Sequence, residues 1–471
     1  FQITFCVFHF PVVQLLKMLV LIFKTITCAL IVQIVAVFGS VQNASKPVCF
    51  AKENSFWRQP QTCSSYILSM RNTIYLLYDV NPSEGFNLHR DVYIRLAVFV
   101  RNLQRRQEYR NVRLVLPPFR RLFHWKSNYI AQESLPWSMF FDMESLRRYA
   151  PALDFPEFLE EYATFEMDSV NYIQVQRLFQ LQHFEEMFES GIFRDKFEIQ
   201  ECEKMKYLRG HILQQAVLID KEFQCLKFQG SAGMLETVLH QTLSELEADD
   251  VKVFAFLNAE IVLHDHWGDR EFWRARRSMR FASHLVDIAD NFRLHHFNSS
   301  NTYDKVQRPT NWQMEQPYRG AQGGAYLCAH IRRGDFIYGH EKTTPTLKST
   351  ATQIRNKMQE LNLQRLFIAT DATEFEFKNL KSNLQHIKIV RFTTDSLQQK
   401  AQIKDGGIAI VDQLICAHAQ HFIGTFESTF TYRIYEEREI LGFPKSSTFN
   451  TLCKDERQEN CSRNSVWPII Y

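Results

Sequence analysis

Residues 73–90 read TIYLLYDVNPSEGFNLHR. The run opens with aromatic, aliphatic and β-branched side chains, meets the turn-forming Asn81-Pro82-Ser83, and continues as Glu84-Gly85-Phe86-Asn87. From Leu88 to Leu103 the apolar residues recur at helical spacing. Strand, glycine-containing loop and helix start make a βα unit, and the loop of such a unit lies at the carboxyl edge of a sheet, where α/β folds place ligands. Backbone N–H groups at that helix start are free to bind phosphate or hydroxyl oxygens. Glu84 admits two readings: a general base whose pKa is raised by burial, or a first-turn acid that complements the helix dipole.

The same pattern extends outward. Short apolar runs occur at Val112 to Leu116, Val251 to Leu257, Ala325 to His330, Leu366 to Thr370, Ile387 to Phe392 and His421 to Gly424. Helical stretches separate most of them, which favours parallel sheets and an α/β class. At 471 residues the chain exceeds one ordinary core of roughly 150–250 residues, so two domains are expected. No internal repeat, low-complexity tract or Pro/Gly-rich linker marks the boundary, which is soft between residues 240 and 290.

A second stretch, AYLCAHIRRGDF at 325–336, brings His330, Arg332 and Arg333 to the end of an expected strand. Guanidinium groups there suit a diphosphate: they are always charged, offer a planar fork of donors, and stabilise charge growing on a leaving pyrophosphate. That reading points to a transferase using a nucleotide-sugar; the alternative is a surface pair bridged to Asp335. A third stretch, GGIAIVDQLICAHAQHFIGTFESTFTYR at 406–433, reads as a helix from Ile408 to Ala419, a strand from His421 to Gly424, a Thr/Ser-rich turn and another helix. Ser428 and Thr429, with the N–H groups of that helix start, form a second anion site, or an ordinary N-cap. Asp412 can accept from the N1–H and N2 amino group of a guanine, or be a polar residue of an amphipathic helix.

Lys and Arg total 55 against 52 Asp and Glu, a net charge of +3, too near neutral to imply nucleic acid. Of the aromatic residues, Trp57, Trp125 and Trp137 are expected in the core rather than against a sugar. Met18 to Val41 carries Lys24 ahead of an apolar run from Ile26 to Phe38 and ends in Gly39 and Ser40, as a secretory signal peptide does. Residues 1–40 are therefore expected to be a signal peptide, with 1–17 an upstream extension; a signal-anchor starting at Leu19 is the alternative. The apolar core is shorter than the roughly 20 residues that span a bilayer, so no membrane span is expected in the mature chain. Asn43, Asn298 and Asn460 each head an Asn-x-Ser triplet. Cys453 and Cys461 enclose a short polar loop and are expected to pair; Cys49 with Cys63 is a further possibility. Cys328 and Cys416, on an apolar strand and helix, are expected to be buried thiols.

Several segments, in one order from about Ile74 to Tyr471, carry a resemblance: NPSEGFNLHRDVYIR, VLPPFRRLFHW, VLHDHWGDREFWRARRSMRFA, HIRRGDFIYGH, LFIATDA, DGGIAIVDQLICAHA and TFTYRIYEEREILG. Together they resemble the protein O-fucosyltransferases, in the branch that transfers fucose from GDP-fucose to thrombospondin type 1 repeats. The resemblance implies a GT-B fold, two Rossmann-like domains facing across a cleft. Residues 45–265 would carry the base and residues 266–471 would bind GDP-fucose. It makes Glu84 the catalytic base and places Ser83, Gly85, Phe86 and Asn87 around the donor. His330, Ile331 and Arg332 match the second nucleotide-binding segment, Asp412 the guanine-side carboxylate, and Thr429 and Phe430, beside Ser428, the phosphate-side turn. Gly334 and Cys328 depart from the lysine and glycine expected in close relatives. Pairing of Cys202 with Cys225 and residence in the endoplasmic reticulum lumen are further implications.

The reaction so implied is an inverting single displacement: Glu84 takes the proton of an acceptor Ser or Thr hydroxyl while Arg332 stabilises the leaving diphosphate. No Asp-x-Asp triplet occurs in the chain, so no metal is expected; His264-Asp265-His266, the one tempting ligand cluster, reads as structural. Two other functions stay open, a fucosyltransferase acting on glycans and an adhesion protein displaying Arg333-Gly334-Asp335.

Overall fold

The computed structural model describes residues 73–81, 83–120, 122–163, 172–182, 195–201, 217–220, 223–229, 231–246, 251–262, 265–454 and 466–471. The segment 1–72, with Asn43, Cys49, Trp57 and Cys63, lies outside these residues, as do Cys202, His264, Asn460 and Cys461. Five consecutive buried residues form β1 (Ile74–Tyr78). A strand covered on both faces has no polar side, and its side chains alternate between two cores: Ile74, Leu76 and Tyr78 enter one, Tyr75 and Leu77 the other. The chain then enters α1 (Phe86–Leu103), whose N-cap is Gly85 with no side-chain capping bond. With glycine at the N-cap the missing side-chain bond costs only a few tenths of a kcal/mol, while each large apolar side chain buried by β1 contributes roughly 1.5–3 kcal/mol. Strand burial therefore anchors the intervening loop.

The remaining strands are β2 (Val112–Leu116), β3 (Ala152–Asp154), β4 (Tyr172–Val175), β5 (Arg177–Gln182), β6 (Lys196–Glu201), β7 (Val217–Asp220), β8 (Phe223–Gln229), β9 (Lys252–Leu257), β10 (Gly324–Ile331), β11 (Arg365–Thr370), β12 (Lys388–Val390), β13 (Ala419–Thr425) and β14 (Thr451–Leu452). One sheet runs β3-β2-β1-β9-β5-β8-β6 and a second runs β12-β11-β10-β13-β14, while β4 and β7 pair by themselves. Every pairing is parallel except that of β6 with β8. The apolar runs read as strands all appear; the additional strands β3 to β8 lie in more polar sequence.

Two places in this topology matter for function. The chain leaves β1 for β2 on one side, and β9 returns on the other. It leaves β10 for β11 on one side, and β13 returns on the other. Each is a switch point, where neighbouring connections diverge and open a crevice at the strands' carboxyl ends. The loops after β1 and β10 are those carrying Glu84 and Arg332.

Longer helices pack the two halves together: α2 (Arg270–Ser278), α3 (Ser283–Phe297), α4 (Leu397–Ala417) and α5 (Thr429–Leu441). One core holds Phe254 and Phe256 of the first sheet with Tyr326 and Phe422 of the second. The helix expected from Ile408 begins at Leu397, where Ser396 caps it by accepting from the Gln399 N–H, and ends at Ala417; Lys404 inside it has φ 62° and ψ −179°, a kink. One expectation is overturned: Cys328 and Cys416 are joined in a disulfide. Apolar surroundings suggested two thiols, but β10 and α4 face each other with these Cα atoms 5.1 Å apart, within bridging reach. Cys453 is also disulfide-bonded, its partner lying outside the described residues. No helix among the described residues is long and apolar enough to cross a membrane.

Candidate functional site

The loop after β1 is shaped by its own backbone. Asn81 Oδ1 accepts from the Ser83 N–H at 3.1 Å and from the Ser83 hydroxyl at 2.9 Å, and the Glu84 N–H donates to Asn81 O at 2.9 Å. This local turn satisfies the Asn81 and Ser83 side chains within the loop itself. Glu84 is half-buried, and its carboxylate has no hydrogen-bond or ion-pair partner among the described residues. Burial pushes its pKa up from the usual carboxylate value, the direction a base working near neutral pH requires. Glu260 lies behind the loop, accepting from the Asn81 N–H at 3.2 Å. Its own pKa is raised by burial and by the charge of Glu84. The Phe86 ring turns inward, 5.1 Å from Phe119 and 5.9 Å from Trp125 between centroids, so only its backbone faces the loop.

The loop after β10 is held by side chains. Arg332 pairs through Nη1 with Asp371 and through Nη2 with Asp335, and its N–H donates to Thr425 Oγ1 at 2.9 Å. The Arg333 N–H donates to Asp371 Oδ1 at 2.6 Å and its Nε to Glu376 at 3.0 Å. The surface pairing foreseen with Asp335 is thus real for Arg332. Together with these other bonds it fixes the tripeptide Arg333-Gly334-Asp335 against the sheet edge. His330 is buried; its Nδ1 lies 2.8 Å from Thr431 Oγ1 and its ring stacks on Phe430 at 4.3 Å. Burial, with Arg332 adding to it, lowers its pKa to about 3, so it is a neutral spacer. Ile331 is a core residue, 2 % exposed.

The third group lies on α4 and α5. Asp412 Oδ1 is shut off from solvent and has no partner; burial pushes the carboxyl up to about 8, with Arg391 opposing. An orphaned acceptor of this kind suits a ligand that brings its own N–H donors. Ser428 is the buried N-cap of α5 and makes no side-chain cap bond. Its hydroxyl, the exposed Thr429 and the first N–H groups of α5 are therefore available to an anion.

The two halves meet where marked residues, Gly85, Asn87 and Arg332, touch others that the sequence did not mark: His124, Arg90 and Gln413. His124 stands 3.1 Å from Arg332 through Nδ1, and a Cβ added to Gly85 would lie 3.1 Å from the His124 ring. Asn87 Oδ1 accepts from Gln413 at 3.0 Å and from Arg90 at 3.3 Å, and Arg90 donates to Gln413 at 2.7 Å. A buried ionic chain runs behind both. Arg276 on α2 pairs with Glu436 at 2.7 Å and Glu437 at 2.9 Å, and Arg433 reaches Glu436 at 3.1 Å and Asp91 of α1 at 3.7 Å. Arg433 and Glu436 are an i,i+3 pair within α5, but nothing in the spacing announces the contacts with Arg276 of α2 and Asp91 of α1, which come from other helices. The other candidates are structural: Trp137 is fully buried and donates to Pro117 O at 2.8 Å, and Trp125 packs on Phe140. Asp265 accepts from the Ala232 N–H, and His266 pairs with Asp269. No cluster of potential metal ligands occurs among the described residues. Asn298 is exposed at the end of α3.

With this geometry in hand, the chain can be set beside known proteins. The family model of GDP-fucose protein O-fucosyltransferases matches residues 75–441. A Drosophila melanogaster protein named GDP-fucose protein O-fucosyltransferase 2 is 53% identical over 420 residues, 88% of this chain and 86% of its own length. The human protein of that name is 38% identical over 446 residues, covering 92% and 99%. Among solved structures, POFUT1 in complex with GDP-fucose superposes with a TM-score of 0.50 at 14% identity, covering 81% of this chain and 98% of that one. That likeness shows a shared α/β fold of GT-B type. A match across most of the chain by both measures leaves one conclusion: the chain belongs to the GDP-fucose protein O-fucosyltransferase family, glycosyltransferases that use GDP-fucose.

Proposed function

We propose that the protein transfers fucose from GDP-fucose to Ser or Thr hydroxyls of folded thrombospondin type 1 repeats in the lumen of the endoplasmic reticulum, by an inverting single displacement without a metal. The observation that carries this reading is the pairing of the two switch-point loops. One presents an unpartnered carboxylate with a pKa raised by burial, Glu84; the other presents the guanidinium of Arg332, and His124 touches both loops.

In this reading residues 266–471 bind the donor. Asp412 accepts from the guanine, and its unpaired oxygen gains the partner it lacks. Arg332, the α5 N–H groups and the turn of Ser428, Thr429 and Phe430 receive the diphosphate, stabilising the charge that develops as the sugar leaves. Residues 45–265 bring the base. The acceptor hydroxyl, held across the crevice, attacks the anomeric carbon from the face opposite the diphosphate, and Glu84 takes its proton. The carboxylate accepts that proton late, when bonding to carbon has made the hydroxyl acidic. Charge neutralisation by Arg332 takes the place of a divalent ion.

The test is fucose transfer from labelled GDP-fucose, in chelator, to a folded thrombospondin type 1 repeat beside its reduced form, with Glu84→Ala as control. Transfer to the folded repeat alone, lost in the variant while GDP still binds, is expected. Transfer to free glycans but to neither form of the repeat would overturn the acceptor assignment.

A further inference from the structure

Residues 119–135 leave the first half of the molecule and return to it, closed at the base by reciprocal backbone bonds between Phe119 and Leu135 at 2.8 and 2.9 Å. A loop with its ends so joined is an Ω-loop, and its middle is fastened to the other half. Asp405 of α4 accepts from the Ser127 N–H at 2.9 Å and the Ser127 hydroxyl at 2.7 Å, and from Gln132 Nε2 at 3.2 Å; the Asp405 N–H donates back to Gln132 Oε1 at 3.1 Å. Tyr129 adds a contact with Lys400. Trp125 lies against Gly406, where an added Cβ would come within 2.7 Å of its ring. Asp405 directly follows Lys404, whose left-handed φ of 62° breaks the helix. A non-glycine residue adopts that conformation at a cost; here the break comes where Asp405 meets the loop.

What this fastening delivers is His124. The ring stands between Gly85, the residue after Glu84, and Nη2 of Arg332, which is 3.1 Å from Nδ1 and 3.3 Å from Nε2. Nη2 also pairs with Asp335, and Nη1 with Asp371. Being almost equidistant from the two ring nitrogens, Nη2 meets the face of the imidazole. With two carboxylates on one side, the guanidinium is drawn toward its own sheet edge; a neutral ring on the other side holds it toward the base loop. Resting on the functional reading above, we propose that His124 is a positioning residue for donor binding: a neutral imidazole, wedged against Gly85 and fixed by the Asp405 clamp, whose ring backs the Arg332 guanidinium and aims it at the diphosphate.

Proton uptake by this ring sets two cations against each other. Burial and the neighbouring Arg332 both lower the His124 pKa, against Asp335 and Asp371; Lys126 also lowers it. GDP binding should therefore lose the support of this ring on the acid side, below the ordinary imidazole range.

The experiment compares His124→Gln and His124→Ala with the unmodified protein, by calorimetric GDP binding and by kcat and KM for GDP-fucose from pH 4.5 to 8. A cation held on an aromatic face is worth roughly threefold to thirtyfold in an equilibrium. His124→Ala should weaken GDP binding about tenfold and raise KM similarly. His124→Gln, whose planar amide does not titrate, should recover part of that loss, and its GDP affinity relative to the unmodified protein should rise as pH falls, a ratio in which the Glu84 and Asp412 titrations cancel. Ser127→Ala, outside the site, should raise KM by a smaller factor, with its ratio to the unmodified protein unmoved by pH. Unchanged GDP affinity in His124→Ala, or a His124→Gln ratio that does not move with pH, overturns the proposal. Failure of the acceptor assignment looks different: the unmodified protein binds GDP but transfers nothing, and the binding arm still reads His124.

Discussion

The loops that carry Glu84 and Arg332 occupy equivalent places in two parallel sheets and are held by opposite means. After β1 the chain is shaped by its own backbone and by Asn81, so Glu84 has no partner among the described residues, and its pKa can rise. After β10 the chain is shaped by charge: Arg332 and Arg333 reach Asp335, Asp371 and Glu376. A base needs an adjustable proton affinity, which ion pairs would destroy by fixing it low. An anion clamp needs a fixed direction, which ion pairs supply. Under the function proposed above, the difference between the loops is the difference between those two tasks.

The comparison breaks most sharply at Glu84. Glu84→Gln keeps the size and the backbone turn and removes only the proton acceptor; transfer should fall by about 10²–10⁴ with GDP affinity unchanged by calorimetry. In the unmodified protein kcat/KM should decline on the acid side at a pH above the ordinary glutamate range, since the base is active only above its raised pKa. Next comes the ionic chain behind the clamp. Arg276→Ala takes one of two guanidiniums from each of the buried Glu436 and Glu437, which keep Arg433 and Arg308; the cost should stay below the roughly 3–5 kcal/mol of a fully broken buried pair and should appear as a fall in the thermal midpoint.

Arg332→Lys sharpens the same contrast. A lysine keeps the charge but cannot span Asp335 and Asp371 while presenting a fork to a diphosphate, so KM for GDP-fucose should rise by about tenfold or more, with stability little changed. The smallest effect expected is at Asp412. Asp412→Asn exchanges an acceptor for a partial donor and should weaken GDP binding by about tenfold while sparing the preference for a folded acceptor. Burial holds this carboxyl near pKa 8, and a guanine's two donors would favour the ionised form. GDP affinity should therefore rise with pH up to about 8 and then level, a rise that Asp412→Asn should remove above the range in which His124 titrates. The same raised pKa means that burying Asp412 costs stability as pH climbs from its unfolded value near 3.8 toward 8.

Local sequence determined a good deal of this protein. Continuous apolar runs separated by helical spacing are what strands buried on both faces require, and those at β1, β2 and β9 to β13 were legible for that reason. Glu84, Arg332 and Asp412 could be singled out as candidates because each sits next to such a run or on an apolar helix, where a charged residue needs a reason; the structure adds that Glu84 is half-buried and that Asp412 Oδ1 is shut off from solvent. Other features were decided only by the tertiary structure. His124 lies in a loop with no periodicity, and its value comes from Arg332, 208 residues away. Cys328 and Cys416 looked like two separate apolar cysteines until β10 and α4 brought them together across 88 residues of sequence. Nothing local singles out Asp405, Arg276 or Arg433; packing of other elements sets Ser127, Glu436 and Asp91 against them. Burial periodicity is a short-range property, so a chain displays it openly; which side chains meet across a crevice depends on how whole sheets and helices pack, and no local pattern encodes it.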